Sequence, residues 1–458
     1  MKVLKGGPNN LVLIIFWILI LLPLIISAPA GAVQLDRAAR IRDLPSGSID
    51  FDSAARIAIR QSPLLTRSDL EIQIRRLDEK DSKSDFFPSF NFRTQYFVND
   101  VTVNGQSLYS KYALNFTSAP YSPWEAYFTL QARKLFTKIA ILTHLKVISR
   151  GLNLLGTAFL QLDTLDKMAQ VQQELIQLLE KQLNFMQERQ KIGQGSALEI
   201  KLASQELQVA KLALKQLLEG QNKYKKSIRN YLGWPPEQEL HLDLASSRHQ
   251  ILGRYENLQQ FEDVSPDVTI DLKIQAIKKE LQKYNIILAK TKMLPTLFVG
   301  AQNPDPLSFV QSNSMFFYLG ASIPVWDGFK RLRNVSRQKI VLKQMEAEAG
   351  EAETNFREKW RDAQINASDS ALKLEISQNQ LELASLRKRQ AEIRYNTMGE
   401  PLSVYLEGEK GVTDAKKNVI MKTLEYDLAK LNLRDLANDM VLKYVDENSI
   451  SHHSEEKY

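Results

Sequence analysis

The chain has 458 residues, of which 44% are hydrophobic and 25% charged, with a formal charge of +7 and no cysteine. This composition excludes a disordered chain and a helical membrane protein, and leaves enough apolar surface for a sizeable core. Without cysteine there is neither a disulfide nor a lipid-modified N-terminal cysteine, and the mild charge, with no basic patch interleaved with aromatics, speaks against nucleic acid as a partner.

Residues 1–32 read as a secretory signal. Lys2 and Lys5 precede an apolar run over 11–26, then come Ala28-Pro29-Ala30-Gly31-Ala32, with cleavage expected after Ala30 or Ala32. A retained anchor is the other reading of the same run. Residues 33–47 form an irregular lead-in, 51–60 a short amphipathic helix broken at Pro63, and 64–85 a second helix. The period then changes from helical to alternating. Phe90, Phe92, Tyr96 and Val98 alternate with Asn91, Arg93, Gln95 and Phe97, and after a polar loop over 99–106, Tyr112, Leu114 and Phe116 alternate with Ala113, Asn115 and Thr117. The two segments predict a hairpin with an apolar face.

Ser122-Pro123 marks the start of a rod that runs to Ile192, with Ile148, Leu152, Leu155, Phe159 and Leu162 in a four-three rhythm and Gly193 at its end. Gly193-Gln194-Gly195 reverses the chain and Ser196 caps a returning helix of about 35 residues carrying Leu198, Leu202, Leu207, Leu212, Leu214 and Leu218. Leu232-Gly233-Trp234-Pro235-Pro236 stops that helix, and 237–264 reads as a polar linker. The order then repeats: a helix over 267–293, strands over 296–301 and 316–323, a second rod over 324–399, a returning helix from Leu402 to about Met440, and a polar tail. Along the second rod Leu342, Met345, Ala349, Ala352, Phe356, Trp360, Ala363 and Ala367 form a coiled-coil seam with a stutter. At ~1.5 Å per residue each rod spans on the order of 105 Å.

Four landmarks expose the duplication. Ser62-Pro63 matches Ser265-Pro266, Phe87-Pro88 matches Leu294-Pro295, Pro120 matches Pro324 and Gly193 matches Gly399, all at an offset of about 205 residues. The domain reading is therefore a signal over 1–32, a first repeat over 33–236, a linker over 237–264, a second repeat over 265–444 and a tail over 445–458. The two shorter helices of each half, stacked end to end, nearly match its rod, which predicts four rod-length rows per chain. Each half also supplies two strands, and four strands cannot close a membrane barrel, which needs at least ~8. The predicted class is therefore mainly α with a β-barrel part, a duplicated coiled-coil barrel whose twelve strands close in a trimer.

The doubled order, with Phe87-Pro88-Ser89-Phe90, Pro120, Leu294-Pro295, Ile323-Pro324-Val325-Trp326-Asp327-Gly328 and Arg394-Tyr395 to Gly399, resembles the TolC family of outer-membrane efflux and secretion proteins over nearly all of the mature chain. The first half departs from it, with Tyr121-Ser122-Pro123-Trp124 where a glycine pair usually lies. The resemblance implies a homotrimeric channel-tunnel in a Gram-negative outer membrane, working with a periplasmic membrane-fusion adaptor and an inner-membrane pump in efflux or type I secretion. It places adaptor docking at the turns Gly193, Gln194, Gly195, Ser196 and Gly399, Glu400, Pro401. Where family tunnels narrow at acidic rings, this chain carries Arg387, Lys388, Arg389 and Arg394, which become the pore-constriction candidates. Lipid-facing strand residues are expected to be Phe90, Phe92, Tyr96, Tyr112, Leu114, Phe116, Phe317 and Leu319. The alternative is a periplasmic coiled-coil structural or adaptor protein without a pore, which would have no use for aromatic alternating strands. His144, His241 and His249 are scattered, and no nucleophile elbow or P-loop occurs, so neither an enzyme nor a cofactor is expected.

Overall fold

The computed structural model describes residues 48–96, 102–103, 106–107, 112–193, 196–235, 238–256, 269–303, 315–398 and 402–445. The expected signal and lead-in, the tail beyond Val445, the Ser265-Pro266 and Gly399 landmarks, and Val98 lie outside them. Contacts divide the chain after Ser48, and every element named here belongs to the unit that begins at Ile49.

Helix α1 (Phe51–Gln61) is capped by Asp50, whose side chain accepts the Ser53 N–H, and α2 (Pro63–Ser84) starts with proline at its first turn. Strand β1 (Phe90–Tyr96) pairs antiparallel with β4 (Tyr112–Ser118). The expected polar loop between them holds a small ladder of β2 (Thr102–Val103) and β3 (Gln106–Ser107), separated by Asn104-Gly105. That dipeptide is the commonest signature of a two-residue hairpin connection. The first rod is α3 (Pro123–Lys191), capped by Ser122 and ended by Gly193 at φ 80°, and α4 (Ala197–Leu232) returns along it.

Residues 237–264, read as a polar linker, contain α5 (Ser247–Leu252), whose Ile251 and Leu252 are fully buried. A six-residue helix is too short to announce itself by periodicity. The second half follows with α6 (Ile270–Thr291), β5 (Thr296–Asn303), β6 (Phe316–Ser322), the rod α7 (Lys330–Met398), α8 (Leu402–Leu436) and α9 (Asp439–Tyr444). Two expected boundaries are corrected. The second rod starts at Lys330 rather than near Pro324, because Gly328 and Phe329 both have positive φ, at 62° and 64°. The returning helix ends at Leu436 rather than Met440, because Asn438 sits at φ 56° and breaks the helical path.

Packing gives the four rows. Rod α3 lies between the α2 and α4 row on one side and the α6 and α8 row on the other, and α7 packs outside α6 and α8. The end-to-end stacking is direct in the first half, where the C-cap Gly233 of α4 approaches Gln61 O and Pro63 at the start of α2. The expected seams are real: Ile148, Leu152, Leu155, Phe159 and Leu162 are each at most 1% exposed, and Trp360, Ala363 and Ala367 close on Leu433 of α8 and on Ala437 just beyond its end.

Around the middle of α3 the short elements form a collar. Phe51 meets Phe159 edge-on at 5.7 Å, and Arg248 holds Asp427 with contacts of 2.6 and 2.8 Å. The buried Arg434 donates to Asp439 at 3.0 Å and to the Gln250 carbonyl at 2.8 Å. A guanidinium with these partners satisfies carbonyls that α5 leaves open at its C-terminus.

One contact between rows titrates. His144 on α3 is buried, its Nδ1 2.7 Å from Ser68 Oγ on α2, and burial lowers its pKa from the usual 6.5 against the opposing pull of Asp69. The unfolded chain then binds the proton before the folded one does, so this contribution is complete above pH 6.5 and falls as the pH drops below it. His144→Gln is expected to flatten the fall in Tm below pH 6.5. An identical pH profile in the variant contradicts this.

Candidate functional site

The four longer strands form one sheet in the order β1-β4-β5-β6, all antiparallel, with β1 and β6 left as edges. Directly paired residues share a face, and Phe92↔Phe116, Phe116↔Ala301 and Ala301↔Phe317 run straight across it. By this register Phe90, Phe92, Tyr96, Tyr112, Leu114, Phe116, Phe317 and Leu319 all lie on one face, joined by Leu297 and Val299. Phe317 and Leu319 are 74% and 78% exposed, and Phe90 stacks on Phe116 at 5.0 Å. The opposite face carries Asn91, Arg93, Gln95, Asn115, Thr117 and Gln302, and on the second hairpin Phe298, Phe316 and Tyr318 as well, so it is polar in its first half and mixed in its second. A sheet with a bare apolar face, a more polar face and two open edges is unsatisfied alone, because the edges present unpaired backbone groups. The described strands are seven or eight residues long, shorter than the ~9–11 expected of a membrane strand, and the chain continues from their far ends into residues outside the description.

The junctions below the sheet explain the two diverged motifs. Tyr121 exchanges backbone hydrogen bonds with Leu297 at 2.7 and 2.8 Å, and its hydroxyl donates to Phe86 O at 2.7 Å, so the first half fixes its turn by pairing. In the second half the Asp327 carboxylate accepts the Arg331 N–H at 3.0 Å, and Gly328 supplies the left-handed step before α7.

At the other end, Gly193 has its positive φ with open space around it, and Ser196 Oγ accepts the Leu198 N–H at 3.2 Å. Gln194, Gly195, Gly399, Glu400 and Pro401 lie outside the described residues. The four cations are not equivalent. Lys388 lies on the α7 seam toward α8 and pairs with Glu409 at 2.6 Å, where Gly408 brings α8 so close that a Cβ would meet Lys388 Cα at 3.1 Å. Tyr405 donates to the same Glu409 at 2.9 Å, which pushes the phenol up to about 12, and stacks with Tyr395. Arg387, Arg389 and Arg394 are exposed, and Arg387 and Arg389 have no ion-pair partner among the described residues. Lys416 on α8 reaches Glu174 on α3 at 3.2 Å, tying the two helical pairs together above this point.

Sequence reading missed a second seam on each outer row. On α7, Ile365, Leu372, Ile376, Leu383, Leu386 and Ile393 are exposed, and with Asp369, Asn379 and Gln390 they keep an unbroken four-three rhythm. Each stands two residues after the inward seam, about 200° around the helix. On α4, Leu198, Leu202, Val209 and Leu212 are likewise exposed, opposite buried Ala203 and opposite Leu207 and Ala210, which face α3. The same rhythm, read a second time with a two-residue offset, would have found both stripes. They lie on the two outer rows, as the open edges β1 and β6 lie at the two sides of the sheet.

No protein-family model matches the sequence, and no curated protein does. Solved structures do match. The outer-membrane channel OprN superposes with a TM-score of 0.68 at 14% identity, covering 85% of this chain and 89% of that one. The Campylobacter jejuni CmeC outer membrane channel gives 0.69 at 14% identity, with 89% of each chain covered, and CusC gives 0.70 at 11%, covering 87% and 95%. OprN and CmeC are outer-membrane channels and CusC forms a transmembrane channel, and this chain shares their fold, a set of long helices continuous with a four-stranded sheet.

Proposed function

We propose that the chain assembles as a homotrimer into an outer-membrane channel-tunnel. It conducts substrates that an inner-membrane pump delivers through a periplasmic adaptor to the cell exterior, in efflux or in secretion. The observation that carries the reading is the coincidence of open features on both flanks: an apolar outer sheet face with two unpaired edges, above outer helical rows that each present a second apolar seam. Three copies joined edge to edge satisfy the strands and the helices in one operation, and the polar sheet face then lines a bore. A pore-free coiled-coil protein gives no account of the apolar sheet face. The fold shared with OprN, CmeC and CusC supports the same reading.

The adaptor is assigned to the turns at Gly193 to Ser196 and Gly399 to Pro401, beside exposed Ile192 and Leu198. Gln194→Trp together with Glu400→Trp is expected to abolish export while trimers form normally. Undiminished export removes the assignment. The tip is expected to favour anions: Arg387 and Arg389 stand on opposite sides of the two α7 seams, so one of them faces the bore, and its threefold repetition focuses positive potential there. In planar bilayers Arg387→Glu or Arg389→Glu should move the reversal potential toward cation selectivity. Unchanged selectivity in both variants places the run on the outer wall.

A further inference from the structure

We infer that the inner face of the barrel carries an aromatic ledge, formed by Phe298, Phe316 and Tyr318, that holds planar aromatic solutes, anions in preference, as they leave the tunnel. The inference rests on the channel reading, which makes the polar sheet face the inner one. By register Gly300 pairs with Tyr318, Phe298 with Gly320 and Gln302 with Phe316, so all three rings stand on the face that also carries Arg93, Asn115 and Thr117. The corresponding surface of the first hairpin is polar throughout apart from Ala113.

The glycines make the ledge. A Cβ on Gly300 would lie 2.3 Å from Tyr318 Cζ, and one on Gly320 would lie 2.2 Å from Phe298 Cζ, so the rings occupy the space that side chains would otherwise fill. Phe316 and Tyr318 are stacked at 6.0 Å with 26° between planes, and Phe298 meets Tyr318 at 6.3 Å and 65°. All three are half-buried, which leaves part of each ring open toward the bore. Covering two glycines needs two rings; Phe316 lies over neither, and it extends the apolar surface along the strand. A π face in water attracts planar aromatic solutes through stacking, which is sequence-tolerant and strong for its area.

The charge preference comes from Arg93. It is the one charged side chain among the described residues of this face, and it has no partner there. Within a single sheet it is separated from Phe316 by β4 and β5, roughly 14 Å at ~4.8 Å per strand. When β6 of one copy meets β1 of the next, the guanidinium moves to the strand adjoining the rings. An aromatic sulfonate or carboxylate can then stack on the ledge while its anion faces the cation.

The test uses the purified trimer in planar bilayers, with 1-naphthalenesulfonate, 1-hexanesulfonate and phenyltrimethylammonium added on the outer side. Naphthalenesulfonate is expected to interrupt the current at a concentration at least roughly fivefold below hexanesulfonate, the factor that ~1 kcal/mol of stacking gives, and below phenyltrimethylammonium because Arg93 favours the anion. Phe316→Leu combined with Tyr318→Leu should erase its advantage over hexanesulfonate, with trimer yield as the assembly control. Equal block by all three probes in the unmodified channel overturns the ledge without any variant, and so does undiminished block in the double variant. A purified trimer that conducts nothing overturns the channel reading itself, an outcome distinct from both.

Discussion

Leu319→Arg, and separately Phe92→Arg, are expected to cost about 2–4 kcal/mol for each copy placed near mid-bilayer and to deplete trimers from the outer membrane. Leu319 is 78% exposed in the single chain and Phe92 54%, so neither substitution opens a cavity within one copy. The loss therefore comes from placing a guanidinium against hydrocarbon and not from unfolding the helices. Threefold repetition makes each substitution act three times in one barrel. Heat-resistant trimers in detergent extracts, quantified by gel, give the measurement. Normal trimer levels from both variants would show that the face carrying Phe92, Phe317 and Leu319 does not meet lipid.

The second large effect is expected along α7. Leu372→Asp with Ile376→Asp removes two leucine-sized apolar side chains from the stripe opposite the α8 seam, where they are 58% and 55% exposed in the isolated chain. If that stripe is buried against the α4 row of the next copy, the pair should cost about 3–6 kcal/mol per interface in lost burial alone. The single chain buries neither residue, so helical circular dichroism should be unchanged while trimers disappear. Trimers of normal yield would detach the stripe from assembly. Together the two pairs of variants separate the barrel and the helical wall as sources of assembly energy.

Much of this architecture is legible in the residues because long rods impose strict patterns. The seam from Ile148 to Leu162 and the one from Phe356 to Ala367 repeat often enough that propensity and burial agree. Proline and glycine punctuation at Pro123, Gly193 and Gly233 fixes element ends for reasons that are local to the backbone. What is lost is either short or conditional. Helix α5 has too few residues for a period, and its Ile251 and Leu252 are buried only because α1, α3 and α8 converge on them. The end of α8 depends on a left-handed Asn438, a conformation asparagine tolerates without requiring. Among the basic residues near the tip, sequence alone treats Arg387, Lys388 and Arg389 as one run. Packing separates them, because only Lys388 falls on the seam and reaches Glu409.

Closure of the barrel by other copies is the claim on which the rest depends, and the absence of native cysteine makes it directly measurable. Thr94 on β1 and Leu319 on β6 lie on the same sheet face but are separated by two intervening strands, too far for a bond within one chain. Thr94→Cys is to be combined in turn with Phe317→Cys, Leu319→Cys and Ala321→Cys, so that one of the three matches the register between copies. After oxidation in outer-membrane fractions, non-reducing gels should show covalent dimers and trimers and nothing larger, because a ring of three has no free edge. Monomers alone from all three pairs, or a ladder extending past three, would contradict a closed barrel of three chains.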